Sequence, residues 1–147
     1  MNQVDQIANE ISIIVPKLIR TMRTGLPATA EVSPAQLVML LAISEKGVCR
    51  ATDLTKEIKV SAPTITGLID RLMREKYLIR IPDINDRRAI NIKLTPKGQS
   101  LVNEFLFHIR SRWKSILVHL KPEERLSFLS SLKRIITVLT VEYKKAL

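Results

Sequence analysis

The sequence predicts a mainly α-helical fold carrying one small β-hairpin, and three observations lead there. Apolar residues recur every three or four positions near both ends of the chain. A short helix, a turn and a longer helix fit ATDLTKEIKVSAPTITGLIDRLMREK, residues 51–76. Directly after it, YLIRIPDINDRRAINIKLTPKG alternates apolar and polar residues on either side of a turn-rich centre. At 147 residues, 46% of them hydrophobic, the chain is long enough for one domain with its own core and too short for two ordinary ones. Only 4% of residues are aromatic, so that core must rest on Leu, Ile and Val.

Taken in order, Val4, Ile7, Ile11, Ile14, Leu18 and Met22 place one apolar stripe on a first helix. Pro16 interrupts this stripe and predicts a kink or a late helix start, because proline removes a hydrogen bond and clashes with the preceding turn. GLPATAEV, residues 25–32, reads as a linker. Ser33-Pro34-Ala35-Gln36 is a capping box with proline at the first helical position, so a second helix starts there and runs to Gly47. A short third helix buries Leu54 and Ile58, a turn follows at Lys59 and Val60, and Ser61 caps a fourth. Leu78, Ile79 and Ile81 form one strand of the hairpin. Ile90, Ile92 and Leu94, alternating with Ala89, Asn91 and Lys93, form the other. Thr95-Pro96 opens a fifth helix whose apolar set includes Leu101, Val102, Phe105, Trp113 and Leu120. Pro122 opens a last helix striped by Leu126, Leu129, Leu132, Ile136, Leu139 and Tyr143.

Helix, turn, helix and hairpin in this order read as a winged helix. On its fourth helix Ile65, Leu68, Ile69 and Leu72 share one face. The opposite face shows Pro63, Gly67, Asp70, Arg71 and Arg74, with Thr64 and Thr66 on its flanks. A major groove about 12 Å wide admits a helix only where its face does not clash with base edges, and this one is small, polar and cationic. Mid-helix glycine costs roughly 1 kcal/mol against alanine, so Gly67 implies close approach by DNA or by a neighbouring helix.

Charge supports the nucleic-acid reading. The net charge is +10: residues 1–47 are neutral, and residues 48–98 and 99–147 each carry +5. Such an excess favours polyanions, among which nucleic acid is the commonest soluble example. Small winged-helix cores do not need two long amphipathic helices after the wing. The simplest partner for those stripes is a second copy, which also lets two recognition helices read a palindrome. The expected organisation is one domain, 1–147, in which residues 33–98 form the DNA-binding lobe and residues 1–32 and 99–147 the dimerisation helices.

These residues resemble the MarR-type (multiple antibiotic resistance) transcriptional regulators over nearly the whole chain. VSAPTITGLIDRLMREKYLIR is similar to the family's recognition helix and its exit into the wing. DINDRRAINIKLTPKG is similar to the wing itself, where an Asp-Arg-Arg run precedes an alternating strand. The resemblance implies a homodimeric repressor or activator that binds a palindromic operator and releases it when a small-molecule effector or an oxidant changes the dimer's geometry. It places Ser61, Pro63, Thr64, Thr66 and Arg71 towards the major groove. Arg88, held by Asp86 and with Arg87 beside it, enters the minor groove. A guanidinium suits that narrow, negative groove. The chain departs from the commoner pattern at Thr55 (usually Ala), at Lys59 (often Gly) and at Tyr77 (often Gly).

Other residues invite sharper readings that the sequence does not support. Cys49 cannot form an intramolecular disulfide, agrees with a reducing compartment and reads as a structural, partly buried thiol. His108 and His119 are about 16 Å apart along one helix and cannot share a metal ion. Trp113 reads as core or dimer interface. No nucleophile–base pair, paired carboxylates or glycine-rich phosphate loop has support from its neighbours, so neither an enzyme nor a cofactor is expected. The opening MNQVDQIANE lacks a signal's basic start and apolar block, and no run is long enough to cross a bilayer, which points to the cytoplasm. Two alternatives stay open: a winged helix serving acidic protein partners, and a nucleoid-type protein binding DNA without sequence preference.

Overall fold

The computed structural model describes residues 2–23, 32–86 and 89–145, arranged as six helices and three strands. They cluster into two compact units, one up to His108 and one from Ile109 onward. Most of the expected linker at Gly25–Val32 lies outside the described residues.

Helix α1 (Gln3–Arg23) starts where Asn2 and Asp5 cap each other: the Asp5 N–H donates to Asn2 Oδ1 at 2.9 Å and the Asn2 N–H to Asp5 Oδ2 at 3.2 Å. This cap overrides the late start expected from Pro16, which lies inside the helix. Helix α2 (Pro34–Lys46) has the expected box. The Ser33 N–H donates to Gln36 Oε1 at 2.7 Å and the Gln36 N–H to Ser33 Oγ at 3.3 Å. Gly47 ends the helix at φ 74°, a conformation that costs other residues more.

A strand that the sequence pattern did not predict follows. Strand β1 (Val48–Arg50) pairs antiparallel with β3 (Ile90–Leu94), whose other edge pairs with β2 (Leu78–Pro82). The hairpin is therefore a three-stranded sheet of order β1-β3-β2. Leu78 faces Leu94 in register, and Cys49 faces Ile92. Helices α3 (Ala51–Ile58) and α4 (Ala62–Arg74) lie between β1 and β2 in sequence.

One core holds α2 to α4, the sheet and the start of the fifth helix together. Met39, Leu40 and Ile43 of α2, Leu54 of α3, and Ile65, Ile69 and Leu72 of α4 meet Leu78, Ile92 and Leu94 of the sheet, with Val102 of α5 (Pro96–Leu117). Cys49 belongs to the same cluster and is buried, more so than the sequence suggested, and burial pushes its thiol pKa up. Tyr77 is buried too, and the strained backbone falls one residue earlier, at Lys76 with φ 63°. The Tyr77 carbonyl accepts from the Thr95 N–H at 3.0 Å, and a β-carbon on Gly98 would overlap that same carbonyl.

The second unit joins the end of α5 to α6 (Pro122–Lys145). Arg125 Nε donates to the Leu117 carbonyl at 2.7 Å, and the rings of Trp113 and Phe128 lie 5.7 Å apart. His119 lies beyond the end of α5, in the turn before α6, which corrects its expected place on a helix with His108. Among the described residues no helix is long and apolar enough to cross a membrane.

Candidate nucleic-acid interface

Helix α4 is aimed by its cap and its buried stripe. Ser61 Oγ accepts from the Thr64 N–H at 3.4 Å, satisfying one of the free donors of the first turn, and lies 2.7 Å from Thr64 Oγ1. Ile65, Ile69 and Leu72 are buried and Leu68 is half-buried, which turns Pro63, Thr64, Thr66, Gly67, Asp70, Arg71 and Arg74 outward. All seven are exposed, as is Ser61. A β-carbon on Gly67 would meet no atom within 4 Å. Packing within the chain therefore does not require a glycine here, and its helix-weakening cost has no internal return.

The face is less free than the sequence suggested, because several of its polar groups already have partners. Thr66 Oγ1 donates to the Ala62 carbonyl at 3.0 Å. Asp70 pairs with Arg80 of β2 at 2.8 Å, so its negative charge is offset and α4 is tied to the sheet. Arg71 Nε donates to Glu75 Oε1 at 3.1 Å, one turn on. The other Glu75 oxygen accepts from Gln36 Nε2 at 3.5 Å, and Gln36 is wholly buried. A chain of hydrogen bonds thus runs from the cap of α2 through Gln36 and Glu75 to Arg71. A guanidinium has five N–H donors, and this bond uses the one on Nε.

On the wing the organising residue is Asp83, which sequence reasoning missed. Its Oδ1 accepts from the N–H groups of Asn85 at 2.8 Å and Asp86 at 3.2 Å. Its Oδ2 accepts from Arg50 Nη2 at 3.0 Å and Asn91 Nδ2 at 3.2 Å. These donors, the Asn85 N–H first and Arg50 second, hold the carboxyl at about 2, below its ordinary 3.8. A Pro-Asp pair opening a turn is a signal that could have found it. The partners of Arg71 and Asp70 depended on tertiary packing, although the spacing of Arg71 and Glu75 was visible. Arg87 and Arg88 lie outside the described residues, and with them the expected Asp86–Arg88 pairing. Asp86 itself is exposed, and its carbonyl accepts from the Ala89 N–H at 2.9 Å.

Known proteins are similar to this chain in sequence and fold. Residues 32–90 match the sequence model of the MarR family. The HTH-type transcriptional repressor MdtR of Bacillus subtilis is 26% identical over 129 residues, covering 86% of this chain and 83% of that protein. Among solved structures, BpsR of Bordetella bronchiseptica, whose DNA binding is described as regulated by 6-hydroxynicotinic acid, is 27% identical with a TM-score of 0.65, covering 88% of this chain and 98% of that one. A transcriptional regulator of Thermotoga maritima is 28% identical with a TM-score of 0.61, covering 96% of both chains.

Cap, exposed cationic helix and braced wing define a winged-helix, DNA-binding transcriptional regulator. The matched residues, 32–90, run from the residue before the α2 cap to the first residue of β3, and over them the chain is similar to the MarR family. Its relatives are regulators and not enzymes.

Proposed function

We propose that the chain is a homodimeric repressor that reads a palindromic operator and is released from it by a small-molecule effector. The observation that carries this reading is the outward face of α4. It is exposed, ends in Arg71 and Arg74, and has at its centre a glycine that none of the described residues requires. In this reading Ser61, Pro63, Thr64, Thr66, Gly67, Arg71 and Arg74 meet the major groove. Arg88, steered by Asp86 and accompanied by Arg87, reaches the minor groove.

Dimerisation is supported by the apolar side chains that the terminal helices leave in solvent. Val4, Ile7, Ile11, Ile14 and Leu18 on α1, and Leu126, Leu129, Ile136 and Leu139 on α6, are each at least 40% exposed. Isolated exposed apolar residues are ordinary, but stripes at helical spacing on both ends are not. In the proposed organisation residues 33–98 read DNA while residues 1–32 and 99–147 join the copies. An effector is supported by BpsR, whose DNA binding is regulated by a small aromatic acid.

Footprinting the purified protein on its own promoter region tests the operator. Salt titrations of Arg88→Ala test the wing: the slope of log affinity against log salt should fall by about 1. An unchanged affinity and slope would remove Arg88 from the interface. Absence of any salt-dependent duplex binding would favour a role with acidic protein partners. Equal affinity for operator and random duplex would favour a nucleoid-type role.

A further inference from the structure

The wing tip carries an apolar side chain that the proposed contacts do not use. Ile84 is 98% exposed, more than any other large hydrophobic residue described. The next three, Val4 at 72%, Leu126 at 71% and Ile136 at 64%, lie on α1 and α6, where a second copy of the chain would cover them. Ile84 lies on neither of those helices. It occupies a turn between Asp83 and Asn85, where short polar residues are favoured because they bond the local backbone. A β-branched apolar residue contributes nothing to such a turn and loses free energy to water.

Its presentation is nonetheless controlled. Asp83, immediately before it, accepts from the N–H groups of Asn85 and Asp86 immediately after it. The same carboxylate is gripped by Arg50 at the end of β1 and by Asn91 of β3. The backbone is thus closed around Ile84, and the side chain is held out at the end of a braced turn. Pro82 and Ile90, paired in register at the base of the turn, are exposed as well. Arg87 and Arg88 follow in sequence. An apolar projection followed in sequence by two arginines matches the chemistry of a minor groove, whose walls are sugar C–H groups and whose rims are phosphates.

We propose that Ile84 enters the minor groove beside the wing arginines, packs against its deoxyribose walls, and selects A·T pairs by exclusion. The proposal rests on the reading of the chain as a DNA reader with an inserted wing. The minor groove is about 6 Å wide, and at G·C pairs the guanine N2 amino group projects from its floor. Isoleucine offers that amino group no acceptor, so seating Ile84 over G·C strands a donor that water would otherwise satisfy. Over A·T no such donor exists. Apolar side chains of this kind are used as minor-groove wedges by other DNA-binding proteins. The arginine acts by attraction to negative potential, and the isoleucine acts by refusing a hydrogen bond.

The test uses the duplex that wild-type protein selects most tightly from a random-sequence pool. Variants of that duplex carry G·C or inosine·C at the A·T pairs footprinted under the wing. Ile84→Ala should bind the selected duplex about tenfold more weakly with an unchanged salt slope, whereas Arg88→Ala lowers the slope. Wild type should lose affinity on G·C and regain it on inosine·C, which lacks the amino group. Ile84→Ala should discriminate little between the three, and Ile84→Leu should keep the wild-type preference. Because the side chain is solvated, the thermal midpoints should agree. If Ile84→Ala keeps both wild-type affinity and wild-type discrimination, the proposal is overturned while the operator-reading proposal stands. If wild type selects no duplex, both fall.

Discussion

The lobe and the terminal helices treat the same kinds of apolar residue in opposite ways. In the lobe, Leu40, Ile43, Leu54 and Leu72 are wholly removed from water by neighbours from the same chain. On α1 and α6, Ile7, Ile14, Leu129 and Ile136 are between 49% and 64% exposed. One region satisfies its hydrophobic residues internally and the other leaves them for something else. The difference teaches that amphipathic periodicity shows a face will be buried without showing by which chain.

Breaking the closed side should have the largest effect. Leu54→Ala leaves a cavity among α2, α3 and α4, and should cost the lobe about 3 kcal/mol in a urea titration. A loss under about 1 kcal/mol would mean that the site collapses around the gap.

Leu129→Asp strikes the open side. In the dimer proposed for the chain it should weaken self-association about 100-fold, or about 2.8 kcal/mol, in sedimentation equilibrium. It should leave the urea midpoint of the lobe in place, because Leu129 is solvated within its own chain. Unfolding of the lobe by this substitution would erase the contrast between the two regions.

Smaller effects sharpen it. Lys59 adopts φ 56° at the turn into α4, where glycine pays no steric penalty. Lys59→Gly should raise lobe stability by about 0.5 kcal/mol, read as a higher thermal midpoint. The last prediction is confined to acid. Asp83 has a folded-state pKa of about 2 against an ordinary 3.8, so its stabilising contribution is complete above the ordinary value. That contribution should fade as pH falls from near 3.8 towards 2. The thermal midpoint of Asp83→Asn should lack this component of the wild-type decline over the same interval.

What could be read from the sequence was local. Ser33 and Gln36 sit three residues apart and bond one another, so the start of α2 needed no knowledge of the fold. The faces of α4 followed from helical spacing, since a helix exposes whatever its buried stripe does not cover. Strand β1 could not be seen, because three residues are too few for alternation and its pairing partner lies some forty residues on. The second role of Gln36 was hidden for a similar reason. Its acceptor, Glu75, reaches it only after α2 and α4 have packed. Tyr77 stands where the resembled pattern often has Gly, yet the positive φ falls at Lys76 and Tyr77 is buried in the core.

Arg50 illustrates a further consequence. It ends β1, its N–H is capped by Asp53 in the first turn of α3, and its guanidinium grips Asp83 in the wing. With 46% of its side chain in solvent it has the profile of a replaceable surface residue. Yet strand, helix and wing all meet there, so one codon change would be felt in three elements at once. Mutational tolerance at such a junction is set by how many parts converge on it, and solvent exposure is a poor guide to that number.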